Sequence, residues 1–213
     1  NEGVLGRAGT GATTWESSIA MSMFFSSHPD LLYGNVLELG SGVGLGGILC
    51  ALSPYSHFAS EVKSMTLTDY NPQVLEQCRH NVADACGGSV PIDVAKLDWY
   101  DFRSGTESTK NHLHKYDTVI ACDCAYLYPD IQALATTMKS LLRPDRKSRI
   151  HIFGPHNRGG MHELLGLLRE EHSMNLIVDG INMQLYRLKP PTSLNHISYL
   201  LQRVRSLCVA SFQ

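Results

Sequence analysis

An α/β domain built on a mostly parallel sheet, with helices on both faces, is the fold class this sequence predicts, and three observations predict it. Short apolar runs alternate with amphipathic stretches along most of the 213 residues. The first apolar run leads straight into a glycine-rich turn. Acidic residues stand at or near the ends of the first four runs, Glu38, Asp69, Asp98 and Asp123, which is where an open α/β sheet binds its ligand.

The length suits one domain with a sizeable core. The whole chain, 1–213, is therefore expected to form a single domain, with 1–30 as an N-terminal helical segment packed on the ligand site and 31–213 as the sheet core. No internal repeat interrupts it. A formal net charge of −2 disfavours a nucleic-acid partner, which would call for a basic surplus, and a monomer is expected. The six cysteines, Cys50, Cys78, Cys86, Cys122, Cys124 and Cys208, lack the dense spacing of a secreted scaffold, and so predict a reducing, cytoplasmic setting. Cys122 and Cys124 flank an aspartate without a Cys-x-x-Cys or spaced histidine partner, so no metal is expected. No basic-then-apolar leader and no membrane-length apolar run is evident, and a start at Asn1 predicts a longer gene product.

Thr13 followed by Glu16 forms a capping box that opens a helix to about residue 26, with Ile19, Met23 and Phe24 on its inner face. Residues 36–39 form the first strand and 45–52 a crossover helix ended by Ser53 and Pro54. The second strand, 65–68, closes on Asp69; Asn71 then caps and Pro72 opens a helix that turns Val74, Leu75, Cys78 and Val82 inward. The third strand, 92–97, ends at Asp98 and Trp99, and the polar stretch 103–115 has the composition of an exposed, mobile loop. A fourth strand, 116–122, ends at Asp123. Pro129 and Asp130 begin a helix whose Ile131, Leu134, Ala135, Met138, Leu141 and Leu142 share one face. A fifth strand, 149–153, a turn and a helix at 161–171 follow. Two last strand-like runs, near 176–178 and 196–204, predict a terminal antiparallel pair and seven strands in all.

Gly40, Gly42 and Gly44 permit positive φ angles and close backbone approach to a small molecule, while the amides of the next helix can face an anionic group. Residues 42–47 also match the G-x-G-x-x-G of nicotinamide enzymes, but the phase is wrong. The first glycine of that fingerprint follows its strand directly; here that is Gly40, and the third position counted from it is Leu45. A buried Glu38 would repel a pyrophosphate but favour a ligand bearing ammonium and sulfonium groups, which points to S-adenosylmethionine, with S-adenosylhomocysteine as product. Asp69 can take both ribose hydroxyls. Asp98 can accept from an adenine amino group, with the Trp99 ring against the base. Each has a plainer alternative: Asp98 as a turn residue, Asp123 as a cap, Tyr126 as a half-buried core aromatic.

These residues resemble a known family. E-L-G-S-G-V-G-L-G at 38–46 and T-D-Y-N-P-Q-V-L at 68–75 resemble the first two motifs of Rossmann-like, seven-strand methyltransferases. G-x-x-x-W at 11–15, L-D-W at 97–99 and D-C-A-Y at 123–126 resemble more narrowly methyltransferase family 16, the protein-lysine methyltransferases, and within it the branch acting on elongation factor 2. The likeness covers about residues 9–128. It implies a seven-strand sheet with a C-terminal antiparallel strand, S-adenosylmethionine as cofactor, and a lysine-bearing protein substrate, elongation factor 2 first. It further implies that Trp15 helps enclose the cofactor, that Gly40, Ser41 and Gly42 hold its methionine part, that Asp69 binds ribose and that Trp99 binds adenine. Cys122, where the family usually carries alanine, would touch the cofactor, and Asp123 and Tyr126 would form the D-x-x-Y lysine site.

Methyl transfer from a sulfonium is an in-line displacement, so the lysine amine must attack as the neutral base although its free pKa is about 10.4. Asp123 can orient the ammonium, Tyr126 can offer a ring face or hydroxyl, and the adjacent cofactor cation lowers the amine's pKa. The other readings are methylation of a different protein, a histidine or a small amine, a nicotinamide-dependent reductase, or an inactive cofactor-binding scaffold.

Overall fold

A computed structural model describes residues 11, 16–52, 61–85, 88, 90–126, 130–155, 159–170, 176–178 and 208–212. Thr13, Trp15, Tyr128 and the expected run at 196–204 lie outside them. The apolar runs form β1 (Gly34–Leu39), β2 (Val62–Asp69), β3 (Ile92–Lys96), β4 (Thr118–Cys122) and β5 (Arg149–Gly154). They lie side by side in the order β3-β2-β1-β4-β5, all parallel. The chain steps outward from β1 to β3, then returns to β4 on the other side, so the order reverses at β1. That reversal opens a crevice beyond the carboxyl ends of β1 and β4. Past β5, the backbone of β7 (Cys208–Phe212) pairs antiparallel with β5, and β6 (Leu176–Val178) pairs antiparallel with β7.

Strands buried on both faces need apolar side chains on both. Leu37, Leu39, Val119, Ala121, Ile150 and Ile152 turn to one face, where α4 (Trp99–Ser104), α5 (Ile131–Leu141) and α6 (Gly159–Glu170) cover them. The opposite face carries Val36, Met65, Leu67, Ile120 and Phe153 beneath α1 (Glu16–Ser27), α2 (Leu45–Leu52) and α3 (Pro72–Asp84). Glu38 and His151 are ionisable side chains that interrupt that second face. Glu38 stands opposite Ile120, and Ile120 opposite His151, in one row across β1, β4 and β5. His151 is fully buried and its Nε2 lies 2.9 Å from the Leu31 carbonyl oxygen.

The α3 start follows from its residues: the Asn71 carbonyl oxygen of the side chain accepts the Gln73 amide at 2.9 Å, with Pro72 at the first helical position. Two expectations need correction. The buried stripe of α1 is Ala20, Met21, Phe24 and Phe25, while Ile19 and Met23 are only half-buried. Phe24 and Phe25 both meet Phe153 edge-on, at 5.5 and 5.4 Å, so the helix is wedged into the sheet and a wider stripe is covered. The stretch 103–115 is not a plain loop. Asp98 caps α4, Gly105 ends it in the left-handed region at φ 67°, and hydrogen-bonded turns follow, with Thr109 buried. The short helix that ends inside it is held by its caps and by Phe102 in the core. No helix among the described residues is long and apolar enough to cross a membrane.

Candidate functional site

The turn after β1 is held from both sides. The Ser41 amide donates to the Thr68 carbonyl at 2.8 Å, the Gly44 amide to the Ser41 carbonyl at 2.9 Å, and Asn81 of α3 donates its Nδ2 to the Val43 carbonyl at 2.8 Å. Gly40, Gly42 and Gly44 all have positive φ, 59°, 55° and 88°, as the sequence expected. At all three a side chain is also excluded by what approaches, at Gly44 by the Cys78 Sγ, 2.7 Å from where a Cβ would stand. A Cβ on Gly40 would lie 2.8 Å from the Cys124 Sγ and 3.5 Å from the Trp99 ring, and one on Gly42 would lie 2.8 Å from the Gly11 carbonyl oxygen. The turn thus gathers Trp99, Cys124 and Gly11 around bare backbone.

Glu38 sits behind the turn. Its carboxyl is 1% exposed and accepts the Gly47 amide of α2 at 3.0 Å. Gly46 and Gly47 let α2 lie this close: a Cβ on either would come within 3.0 Å of a Glu38 oxygen as well as against Met21 or Leu67. Burial pushes the Glu38 pKa up to about 8, against the Gly47 hydrogen bond, which lowers it. Near neutral pH the group is therefore largely protonated, so the fixed negative charge argued from the sequence is a titrating one.

Asp69 closes β2 beside the turn. Its Oδ1 accepts the Asn71 amide at 3.0 Å and its Oδ2 the Gly42 amide at 3.3 Å. Burial raises its pKa while these amides oppose the shift. Gly11 lies alongside, since a Cβ built there would be 3.6 Å from Asp69 Oδ2. Asp98 accepts the Tyr100 amide at 3.0 Å through Oδ1. That is the helix-cap role, and it commits one oxygen of the carboxylate. Trp99 is partly buried against the α5 side of the core.

Asp123 follows β4 with φ 56°, a conformation costly for most residues but tolerated by aspartate. Its amide donates to the Phe153 carbonyl at 2.8 Å, and its Oδ2 accepts the Ser17 hydroxyl of α1 at 2.6 Å. The two flanking cysteines part to opposite faces: Cys122 belongs to the α1 side, 3.9 Å from Ser18 Oγ, while the Cys124 thiol donates to the Leu39 carbonyl at 3.2 Å. Burial pushes both thiols up, which leaves them protonated and inert. Tyr126 is 41% exposed at the same edge. Tyr70, 63% exposed, and Tyr100, whose hydroxyl donates to Asp130, share that rim.

The described candidates therefore gather at the carboxyl ends of neighbouring strands, with Glu38 beneath them. Trp15 lies outside the described residues. Ser17, Cys124 and Gly11's approach to Asp69 escaped the sequence reading. Gly11 opened a recognised motif, but the pairing of Ser17 with Asp123, 106 residues away, leaves no local signal.

Comparison with known proteins bears on the fold and the family. Solved structures share the fold: the N-methyltransferase NodS of Bradyrhizobium japonicum WM9, in complex with S-adenosyl-L-homocysteine, matches at TM-score 0.57 and 14% identity over 92% of this chain and 85% of that one. The ribosomal protein L11 methylase of Lactobacillus delbrueckii subsp. bulgaricus matches at 0.57 and 15% over 94% and 80%. Among curated proteins, calmodulin-lysine N-methyltransferase of Arabidopsis thaliana is 24% identical over 81% of this chain and 54% of its own length. EEF1A lysine methyltransferase 3 of Mus musculus is 29% identical over 78% and 60%, and mouse protein-lysine N-methyltransferase EEF2KMT 31% over 68% and 43%. The chain spans about half the length of these curated relatives. The family model described as lysine methyltransferase matches residues 4–159, and the chain belongs to that family.

Proposed function

We propose that this protein is an S-adenosylmethionine-dependent protein-lysine N-methyltransferase, built on the seven-strand sheet with its C-terminal antiparallel edge as one domain. The observation that carries the reading is the meeting, beyond the ends of β2, β1 and β4, of an acid on each side of a glycine turn whose backbone is left bare. The residues fit the cofactor. A Cβ at Gly40 or Gly42 would strike Cys124 or Gly11, so the turn offers backbone without side chains, Asp69 offers carboxylate oxygens to ribose, and Trp99 flanks the turn. In this assignment Gly40, Ser41 and Gly42 hold the methionine part, Trp15 and Cys122 line the cofactor, Asp98 reaches adenine with the oxygen not used in capping, and Glu38 sets the start of α2 beneath it.

Bound S-adenosylmethionine supplies an electrophilic methyl group on a cationic sulfur. Asp123 binds the target ammonium and orients it; Tyr126, exposed beside it, covers the cation with a ring face or a hydroxyl. The amine must lose its proton to solvent before it can attack, and Asp123 would hold it at the site while it does so. No covalent enzyme intermediate is needed, because positioning supplies much of the rate. The relatives' names concern calmodulin, EEF1A and EEF2; elongation factor 2 is the first substrate to try, then the others, with the chain acting as a cytoplasmic monomer.

Calorimetry with S-adenosylhomocysteine and with NADP tests the cofactor: binding of the first alone is expected, and tight NADP binding with no response to the first ends the reading. Transfer of labelled methyl groups into a cell extract, followed by mass spectrometry of the labelled band and acid hydrolysis to methyl-lysine, tests the substrate class. Label recovered on histidine or on a small amine would replace lysine as the target.

A further inference from the structure

We infer that Ser17 is a positioning residue for methyl transfer, acting through Asp123; this rests on Asp123 serving the lysine side of the site. A serine inside a helix ordinarily donates its hydroxyl back to the carbonyl four residues earlier. Ser22, Ser26 and Ser27 of α1 do so, to Ser18, Ser22 and Met23, at 2.8, 2.8 and 3.1 Å. Ser17 stands in the first turn of the same helix, where the residue four earlier precedes the helix. Its hydroxyl goes instead across the molecule to Asp123 Oδ2 at 2.6 Å, with Ser17 only 3% exposed.

The geometry gives that bond a task. Asp123 lies in the left-handed region, where its backbone is fixed by the Phe153 carbonyl, but that bond does not choose a side-chain rotamer. A hydroxyl on one carboxylate oxygen sets the plane of the group and therefore the direction in which it meets an ammonium. The helix holding Ser17 is anchored by Met21, Phe24 and Phe25 in the core, so the donor is a rigid one. The same first turn places Ser18 beside Cys122. Thus α1 braces both the aspartate and the residue before it.

The test compares Ser17→Ala, Ser17→Cys and Ser17→Thr in the full chain. S-adenosylhomocysteine affinity is measured by calorimetry, thermal stability by melting, and transfer from tritiated S-adenosylmethionine into the extract band that the wild type labels. Ala and Cys variants should lose roughly 10- to 100-fold in kcat, with S-adenosylhomocysteine affinity within twofold of wild type; Cys matches the shape but donates weakly. Thr, which keeps the hydroxyl, should recover most of the rate. Transfer by the Cys variant at the wild-type rate overturns the role of Ser17 and leaves the methyltransferase standing. A loss of rate in step with melting in all three variants also overturns it, as a packing effect. Failure of the wild type to label any band removes the methyltransferase reading and this role with it.

Discussion

Two aspartates end neighbouring parts of the same sheet edge, and they are held in opposite ways. Asp69 is fastened by main-chain amides, one only two residues on, at Asn71, and the other in the adjoining turn, at Gly42. Asp123 has a left-handed backbone and a side-chain partner 106 residues earlier. The first arrangement joins an amide two residues on to one in the turn of the adjoining strand, 27 residues earlier, and exists once β1 and β2 have paired. The second exists only after α1 has docked. In the proposed function the first arrangement serves the cofactor side and the second the lysine side.

The largest expected effect separates the two. Asp123→Asn keeps the size of the side chain and a residue that tolerates positive φ, but removes the charge. Transfer should fall by at least about 100-fold, with S-adenosylhomocysteine affinity unchanged in calorimetry. Asp123→Ala should add a loss of stability of about 1–2 kcal/mol from the strained backbone. A cofactor affinity that falls as far as the rate would make both aspartates one cofactor site. Asp69→Asn is the converse: it places an amide among donors, so S-adenosylhomocysteine should bind roughly 10- to 100-fold more weakly. Affinity equal to wild type would remove Asp69 from the ribose.

Between them, β1 carries Glu38, in one row with His151. Burial holds the Glu38 pKa at about 8 instead of 4.5, and the His151 pKa at about 4 instead of 6.5. For Glu38 the folded chain keeps a proton that the unfolded chain has lost, so stability falls as pH rises from about 4.5 to about 8. For His151 the unfolded chain binds the proton first, so stability falls as pH drops from 6.5 to about 4. The two slopes cancel over the shared part of the range, and Glu38 alone acts above it. Cofactor-free protein should therefore lose about 2 kcal/mol between about pH 6.5 and 8, and Glu38→Gln should flatten that fall in urea titrations. An unchanged slope would mean that the carboxyl is ionised in place, as a permanent counter-charge between the aspartates.

What was legible in the sequence follows the same division. The glycine spacing, the strand end at Asp69 and the α3 cap rest on residues adjacent in the chain and could be read from their order, while the Gly42 amide that Asp69 also accepts lies 27 residues earlier. The strand and helix pattern was legible for the same reason, since each element repeats its own period. Ser17 was hidden because nothing near it names its partner. The inner face of α1 was misjudged because Phe153, in β5, decides how deeply the helix sinks. Glu38 was correctly found beside the turn, but its protonation depends on enclosure by α1, α2 and β2, which no single segment carries.

The smallest expected effect probes how local the Asp69 side is. Asn71→Ala removes the side-chain acceptor for Gln73 and Val74 but leaves the backbone amide that Asp69 Oδ1 accepts. The lost cap should cost about 1 kcal/mol, a fall of roughly 2–4 °C in melting temperature for a chain of this size. S-adenosylhomocysteine affinity should stay within about twofold, because the carboxylate keeps both amide donors. If affinity drops instead as far as in Asp69→Asn, the turn itself, through the start of α3, is what shapes the ribose side. Asp69 would then depend on a packed helix no less than Asp123 does, and the contrast between a locally built and a distantly built aspartate would fail.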